Sequence, residues 1–242
     1  MKELRFRDEP RFRHELKYLC SDAELAMLRV RLTGLMQPDP HAGPDGCYLI
    51  RSIYMDTLYD SCRRANEDGV DPREKWRIRS YNRSADRISL ECKRRESGMI
   101  LKKSCLLTRD QFRDLMAGRP LPVSDANPAL LNRFLIERRT RLFEPKVIVS
   151  YQRRPFICPR GNVRVTFDRN IAASASFNRF FDHPLPERPI LQAGMQLLEV
   201  KYDDYLPDHI YHAIQMTSMR QETFSKYYLC RNYYHGGRTH DI

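Results

Sequence analysis

The 242-residue chain has no apolar run near the roughly 18 to 20 residues that a bilayer span needs, and its start, Met1 to Arg13, is too charged for a secretory h-region. On that ground it is expected neither to cross nor to leave through a membrane by itself. It has no C-x-x-C pair. Its seven cysteines, at 20, 47, 62, 92, 105, 158 and 230, are odd in number and sit mostly in apolar segments, which argues for reduced core thiols and a cytoplasmic home. Gly/Ser linkers, low-complexity tracts and solenoid repeats are missing too, so one domain over residues 1–242 is expected. There is no G-x-x-x-x-G-K-[ST] loop, no G-x-S-x-G elbow and no H-E-x-x-H, which removes the common signatures of phosphate-loop, serine-hydrolase and zinc-helix chemistry.

Positive charge is what the chain has in surplus: 42 Lys+Arg against 31 Asp+Glu, a net charge of +11. Such a surplus calls for a polyanionic partner, whether nucleic acid, an anionic membrane surface or a compact phosphate compound. Helical spacing appears over Asp22 to Met36, where Leu25, Leu28, Leu32 and Leu35 share a face behind a Ser21/Asp22 cap with Glu24 three residues past Ser21. Further helices are expected over Thr108 to Ala117, Ala129 to Arg138 and Pro207 to Met219. Strands are expected over Arg13 to Leu19, Cys47 to Met55, Lys75 to Tyr81, Arg87 to Arg95, Ile100 to Leu106, Lys146 to Arg154, Val163 to Asp168 and Gln196 to Tyr202. The Pro-bearing stretches Gln37 to Gly46, Arg119 to Pro128 and His183 to Pro189 read as loops. Eight strands and a few helices make an α+β fold, mainly antiparallel.

The strands are unusual in what alternates along them. Glu15-Leu16-Lys17, Glu91-Cys92-Lys93 and Glu199-Val200-Lys201 repeat a Glu-x-Lys unit, and Lys75-Trp76-Arg77-Ile78-Arg79-Ser80-Tyr81 sets three cations and a tyrosine on one side of a strand. With 13 Glu and 9 Lys in the chain, chance gives roughly half of one such triplet. Period two sends each set to a single face, so several strands can contribute to one shared surface, and a closed sheet turns that surface into a polar lumen. Burying those charges costs several kcal/mol per ion, in order of magnitude, unless a ligand offsets it. A chain of phosphates fits, because Arg binds two oxygens at once and Glu can hold a divalent metal that bridges phosphates. The mixture of signs suits a compact polyphosphate better than a smooth basic patch would. The plainer reading is a solvated antiparallel face whose cross-strand ion pairs are each worth under about 1 kcal/mol. His209 and His212, at i, i+3, make a poor metal site.

The same residues resemble a known family, the polyphosphate polymerase catalytic domain of the vacuolar transporter chaperone, within the triphosphate tunnel metalloenzyme superfamily. The resemblance runs from Phe12-Arg13-His14-Glu15-Leu16-Lys17-Tyr18 through Arg51-Ser52-Ile53-Tyr54-Met55-Asp56, Leu90-Glu91-Cys92-Lys93, Tyr151-Gln152-Arg153, Val163-Arg164-Val165-Thr166-Phe167-Asp168 and Leu198-Glu199-Val200-Lys201-Tyr202 to Phe224-Ser225-Lys226-Tyr227. It implies an eight-stranded antiparallel tunnel, closed as a barrel with flanking helices, that binds a triphosphate with Mn²⁺ or Mg²⁺. Polymerase members transfer the γ-phosphoryl group of ATP to a growing polyphosphate chain, and relatives hydrolyse inorganic triphosphate or cyclise ATP. Carried over by position, Arg77, Arg79, Arg153 and Arg164 are implied to neutralise the transferred group. Lys17, Lys75, Lys93, Lys201, Ser225 and Lys226 hold the phosphate chain, with Lys102 or Lys103 at a rim. Glu199 is implied as the metal carboxylate, with Glu15, Glu91 and Asp168 as second candidates. Where family polymerases often carry a basic residue just before Phe-Ser-Lys, this chain has Thr223. The form implied is a stand-alone, prokaryotic-type domain that acts on ATP and polyphosphate or triphosphate, with a membrane partner protein left open. Hydrolysis of triphosphate, or binding of a polyanion without catalysis, are the competing functions.

Overall fold

A computed structural model describes residues 11–216 and 219–236. The charged start up to position 10, and positions 217 and 218 near the end of the expected fourth helix, lie outside the described residues. Eight long strands form the body: β1 (Phe12–Ser21), β2 (Tyr48–Thr57), β3 (Arg73–Tyr81), β4 (Ile88–Glu96), β5 (Met99–Leu107), β6 (Phe143–Cys158), β7 (Val163–Ser174) and β8 (Met195–Tyr202). Each contains nearly all of a segment expected from sequence. β6 and β7 run several residues further than their alternation suggested: Phe143 at the start of β6 and Ile171 and Ala173 near the end of β7 join the larger apolar core.

Every pairing is antiparallel, and the order β6-β2-β3-β4-β5-β1-β8-β7 closes through a β7–β6 ladder. The thinnest joint is β1 with β5, where among the described residues only Phe12 and Arg13 pair, with Leu101 and Ile100. Beyond it the segment leading to the last helix lies along β1: Tyr18 bridges to Gln221, and the Glu222 amide donates to the Lys17 carbonyl at 2.9 Å. That return brings the C-terminal residues of the chain back to the first strand.

Among the described residues six α-helices pack around the barrel: α1 (Asp22–Thr33), α2 (Ser61–Glu67), α3 (Arg109–Met116), α4 (Ala129–Arg141), α5 (Asp208–Ile214) and α6 (Lys226–Gly236). The expected capping box of α1 is present. Ser21 Oγ accepts from the Glu24 amide at 3.2 Å, and Glu24 Oε2 accepts from the Ser21 amide at 2.6 Å. Leu25, Leu28 and Leu32 then bury against Val163, Val165, Phe167, Leu198 and Val200 on the outer faces of β7 and β8. Leu131 and Phe134 of α4 cover Trp76, Ile78 and Leu90 of β3 and β4. Apolar side chains therefore clothe the outside of the barrel, and the charged alternate residues face in.

Three differences from expectation have local causes. α5 stops at Ile214 because Gln215 is extended (φ −72°, ψ 127°). α2 carries no apolar periodicity. It is held by Asp56, five residues upstream, whose carboxylate accepts from the Cys62 and Arg63 amides at 2.8 and 2.9 Å. Two dipeptides in expected loops, Gln37–Pro38 and Arg188–Pro189, add short edge pairings to β6 and β7. No helix among the described residues is long and apolar enough to cross a membrane.

Candidate functional site: a charged tunnel

Strand register decides which charges meet. Between β1 and β8, Glu15 stands opposite Lys201 and Lys17 opposite Glu199. Between β3 and β4, Arg77 faces Glu91, while Lys75 faces Lys93 and Arg73 faces Arg95. Lys93 in turn faces Lys102 of β5. On the far wall Arg153 of β6 faces Asp168 of β7, and on β8 Lys201 faces Arg164 and Glu199 faces Thr166. Most of these side chains, with Ser225 and Lys226 from the start of α6, border one cavity of about 620 Å³ lined by fourteen Lys or Arg and four acidic residues; Glu91, Thr166 and Asp168 are not among that lining.

Glu199 is the hub. It is 4% exposed, its Oε2 accepts from Arg153 Nη2 at 3.0 Å and Lys201 Nζ at 2.9 Å, and its Oε1 accepts from Lys226 Nζ at 2.5 Å. Burial pushes the carboxyl up, but Lys201, Lys226 and Arg153 together overcome it and hold it well below the usual carboxylate range. Lys226 Nζ also lies 2.7 Å from Asp168 Oδ2. Its burial is outweighed by Asp168 and Glu199, so its pKa is raised. Asp168 itself is clamped by Arg153 in a two-point contact, 2.6 Å on each oxygen.

A second cluster surrounds Glu91, which accepts from Arg77 Nε at 2.7 Å and Lys102 Nζ at 3.2 Å and lies 3.8 Å from Arg79 Nη1. Arg77 also donates to Tyr54 Oη at 3.0 Å, and Arg79 to Ser52 Oγ and Tyr151 Oη. A third joins Glu15 to Lys93 at 2.8 Å and Lys17 at 3.1 Å. Burial lowers the Lys93 pKa to about 7, with Lys17 and Lys201 adding to it and Glu15 opposing. Lys75 has no carboxylate within ion-pair distance among the described residues. It donates instead to Asn66 Oδ1 at 2.5 Å and Ser225 Oγ at 2.8 Å. Burial, and then Lys17, Lys93 and Arg73, push its pKa well down. Arg164 is bound to Asp39 and Tyr48 at 2.5 and 2.6 Å.

The structure brings together Lys17, Lys75, Arg77, Arg79, Glu15, Glu91, Lys93, Lys102, Arg153, Arg164, Asp168, Glu199, Lys201, Ser225 and Lys226. Lys103 is a correction: it is exposed and pairs with Cys92, whose side chain lies in the outer layer, so it points away from the lumen. Among the described residues no group of three or more His, Cys, Asp or Glu could hold a metal, neither at His209 and His212 nor around Glu199. Sequence reasoning missed Asp39, Asn66 and the lumen face of Thr166. Asp39 and Asn66 sit in a loop and a short helix without alternation, and nothing in their own segments marks them.

The carboxylates divide when tested as holders of a divalent cation. Glu91 and Asp168 fit poorly, because guanidinium contacts use their oxygens. Glu199 and Glu15 fit better. They lie diagonally on one face of adjacent strands; lysines hold Glu15 and, beside a single contact from Arg153, Glu199, and these flexible point charges can move to phosphate oxygens. Beside Glu199 the hydroxyl of Thr166 is buried with no hydrogen-bond partner, an oxygen left for a ligand. Two carboxylates and a hydroxyl leave the other positions to phosphate and water, as suits Mg²⁺ or Mn²⁺.

A closed antiparallel barrel with a cationic lumen and few acids is the architecture of an anion-binding tunnel. The chain belongs to the VTC domain family, whose sequence profile matches residues 12–235. No curated protein matched. Among solved structures it is similar to a Hippeastrum protein described as a candidate adenylyl cyclase with dominant triphosphatase activity: 13% identity, 92% of this chain and 96% of that one covered, TM-score 0.55. It is also similar to a Vibrio parahaemolyticus protein described as a candidate adenylate cyclase, at 10% identity with 91% and 98% covered and a TM-score of 0.50. At such identities the likeness is one of fold.

Proposed function

We propose that the chain is a metal-dependent polyphosphate polymerase, one domain in the cytoplasm, that transfers the γ-phosphoryl group of ATP to inorganic polyphosphate inside the tunnel. The observation that carries the reading is the run of like charges in register beyond the Glu199 hub: Lys75 against Lys93 against Lys102, and Arg73 against Arg95. Facing like charges repel by about a few kcal/mol at an effective dielectric near 20, which Glu15 at Lys93 and Glu91 at Lys102 offset only in part. A triphosphate at the hub does not need these rows, whereas a longer phosphate chain crossing them relieves the repulsion.

In this reading a terminal polyphosphate oxygen attacks the γ-phosphorus, a new P–O–P bond forms, and the β–γ bridge breaks to release ADP. Such transfer asks for alignment and charge neutralisation and needs no covalent nucleophile. Arg77, Arg79, Arg153 and Arg164 face the reacting group and neutralise its equatorial charge. Lys17, Lys75, Lys93, Lys102, Lys201 and Lys226 bind the oxygens on either side. Glu199, with Glu15, would hold the Mn²⁺ or Mg²⁺, which when bound supplies charge neutralisation across adjacent phosphates.

Incubation with ATP and Mn²⁺, followed by a polyphosphate-stained gel, tests the assignment. A ladder is expected. Orthophosphate without a ladder would make the chain an inorganic triphosphatase. Neither product at any metal concentration would leave a polyanion-binding module, and binding that falls steeply with salt yet ignores added tripolyphosphate would point to nucleic acid.

A further inference from the structure

We propose that Thr166 is a ligand-binding residue of the tunnel, its hydroxyl forming with the Glu199 carboxylate the place where a divalent cation is held against a phosphate chain. The proposal rests on the tunnel reading above and adds to it a residue that alternation alone did not mark as functional. Thr166 is 0% exposed, and its Oγ1 is one of the few buried polar side-chain atoms among the described residues with no partner. Its direction follows from its neighbours. Val165 and Phe167 pack in the outer layer under α1 and α5, so Arg164, Thr166 and Asp168 share the opposite, inner face.

On that face Thr166 is flanked in register by Glu199 on β8 and Pro155 on β6. Proline has neither N–H nor polar side chain to offer the hydroxyl. The cations around Glu199, namely Arg153, Lys201 and Lys226, are all spent on carboxylate oxygens. A valine would fill nearly the same shape, suit a strand equally well and leave no orphan oxygen. A buried hydroxyl without a partner therefore marks a contact made only when something else is present.

The occupant is read from what faces it. An isolated anion is repelled by the carboxylate directly opposite, while a hard divalent cation takes both the carboxylate and a hydroxyl lone pair. A cation arriving with a phosphate chain also resolves the crowding at Glu199, since the phosphate oxygens draw Lys201 and Lys226 away. The Thr166 proton then has a phosphate oxygen to go to.

The test is tripolyphosphate binding by calorimetry, with Mn²⁺ and with EDTA, in wild type, Thr166→Val and Thr166→Ser, beside thermal unfolding of each without ligand. Wild type should bind more tightly with Mn²⁺. Thr166→Val should lose about tenfold of that enhancement, keep its affinity in EDTA, and melt no lower than wild type. Thr166→Ser, which retains a hydroxyl, should keep the enhancement. Equal losses with and without Mn²⁺ would overturn the cation assignment in favour of a hydroxyl that binds phosphate. An unchanged Val variant would mean that water satisfies the hydroxyl and overturn the role altogether. A wild type that binds no tripolyphosphate in either condition would sink the tunnel reading and this proposal with it, an outcome distinct from failure at Thr166 alone.

Discussion

The protonation of Lys93 links the tunnel to the stability of the whole chain. Its ammonium lies 2.9 and 2.8 Å from the two oxygens of Glu15. Burial, aided by Lys17 and Lys201 and opposed by Glu15, brings its pKa from an ordinary 10.5 to about 7. The folded value lies below the unfolded one, so between these pH values the unfolded chain binds up to one more proton, and stability rises with pH. The slope is at most about 1.4 kcal/mol per pH unit, or roughly 2 kcal/mol between pH 7.5 and 9.0. Buried thiols work the other way. Burial raises Cys20 and Cys92 to about 12 and Cys105 to about 11, so their unfolded forms ionise first and stability falls. The measurement is therefore a difference: urea unfolding of wild type and Lys93→Met at several pH values in this window. The wild type should gain on the variant as pH rises, and saturating tripolyphosphate, by favouring the ammonium, should flatten the gain. A difference that stays level or shrinks without ligand would refute the reasoning, since it would mean that Lys93 is fully charged and well solvated in the folded protein.

Glu199→Gln keeps the shape but removes the charge shared by Arg153, Lys201 and Lys226. Turnover should fall by roughly 10²-fold or more. Breaking a buried pair costs about 3 to 5 kcal/mol, so the ligand-free melting midpoint followed by circular dichroism should drop and recover with tripolyphosphate; unchanged turnover would remove Glu199 from the mechanism. Lys102→Ala should weaken tripolyphosphate binding severalfold in calorimetry while Lys103→Ala leaves it alone, and the reverse result would invert the facing of β5. Tyr227 stacks on Tyr54 at 5.0 Å and donates its hydroxyl to Asp56, which pins the start of α6. In a double-mutant cycle read by tripolyphosphate affinity, Tyr227→Phe should weaken wild type severalfold but leave Lys226→Gln almost unaffected, because the hydroxyl acts by placing Lys226. Additive losses would assign it to general stability.

Much of the barrel is legible in the sequence because the tunnel reverses an ordinary strand pattern while keeping its period. Lys75-Trp76-Arg77-Ile78-Arg79 alternates as cleanly as any half-buried strand, with charge on the side that in most small barrels is apolar. The limits are matters of register and distance. Alternation sends one of Lys102 and Lys103 inward but cannot say which, since both have apolar neighbours within their strand; pairing with Lys93 settles it. Four acids on the inner face look alike in sequence, yet Arg77 directly opposite Glu91 and Arg153 directly opposite Asp168 turn two of them into guanidinium anchors. α2 was invisible because the carboxylate that satisfies its first amides belongs to β2. Thr166 reads as an unremarkable strand residue until Glu199 and Pro155 are found beside it.

The same registers explain why the tunnel tolerates so much charge without a ligand. Where acids stand opposite bases, at Lys17 and Glu199, Glu15 and Lys201, Arg77 and Glu91, and Arg153 and Asp168, the wall neutralises itself and the strands can close. Where bases stand opposite bases, neutralisation has to be borrowed. Lys93 leans to Glu15 and Lys102 to Glu91. Lys75 settles for the dipoles of Asn66 and Ser225. These three borrowed contacts are made by lysines, whose flexible stems can exchange a carboxylate or a hydroxyl for a phosphate oxygen, while Arg164, opposite Lys201, borrows Asp39. The fixed two-point contact of Arg153 with Asp168 holds the frame. Rigid guanidinium pairs that close the barrel, beside mobile ammoniums that can be recruited, form a division of labour that a solvated charged face has no use for and that suits the chain of phosphates proposed above.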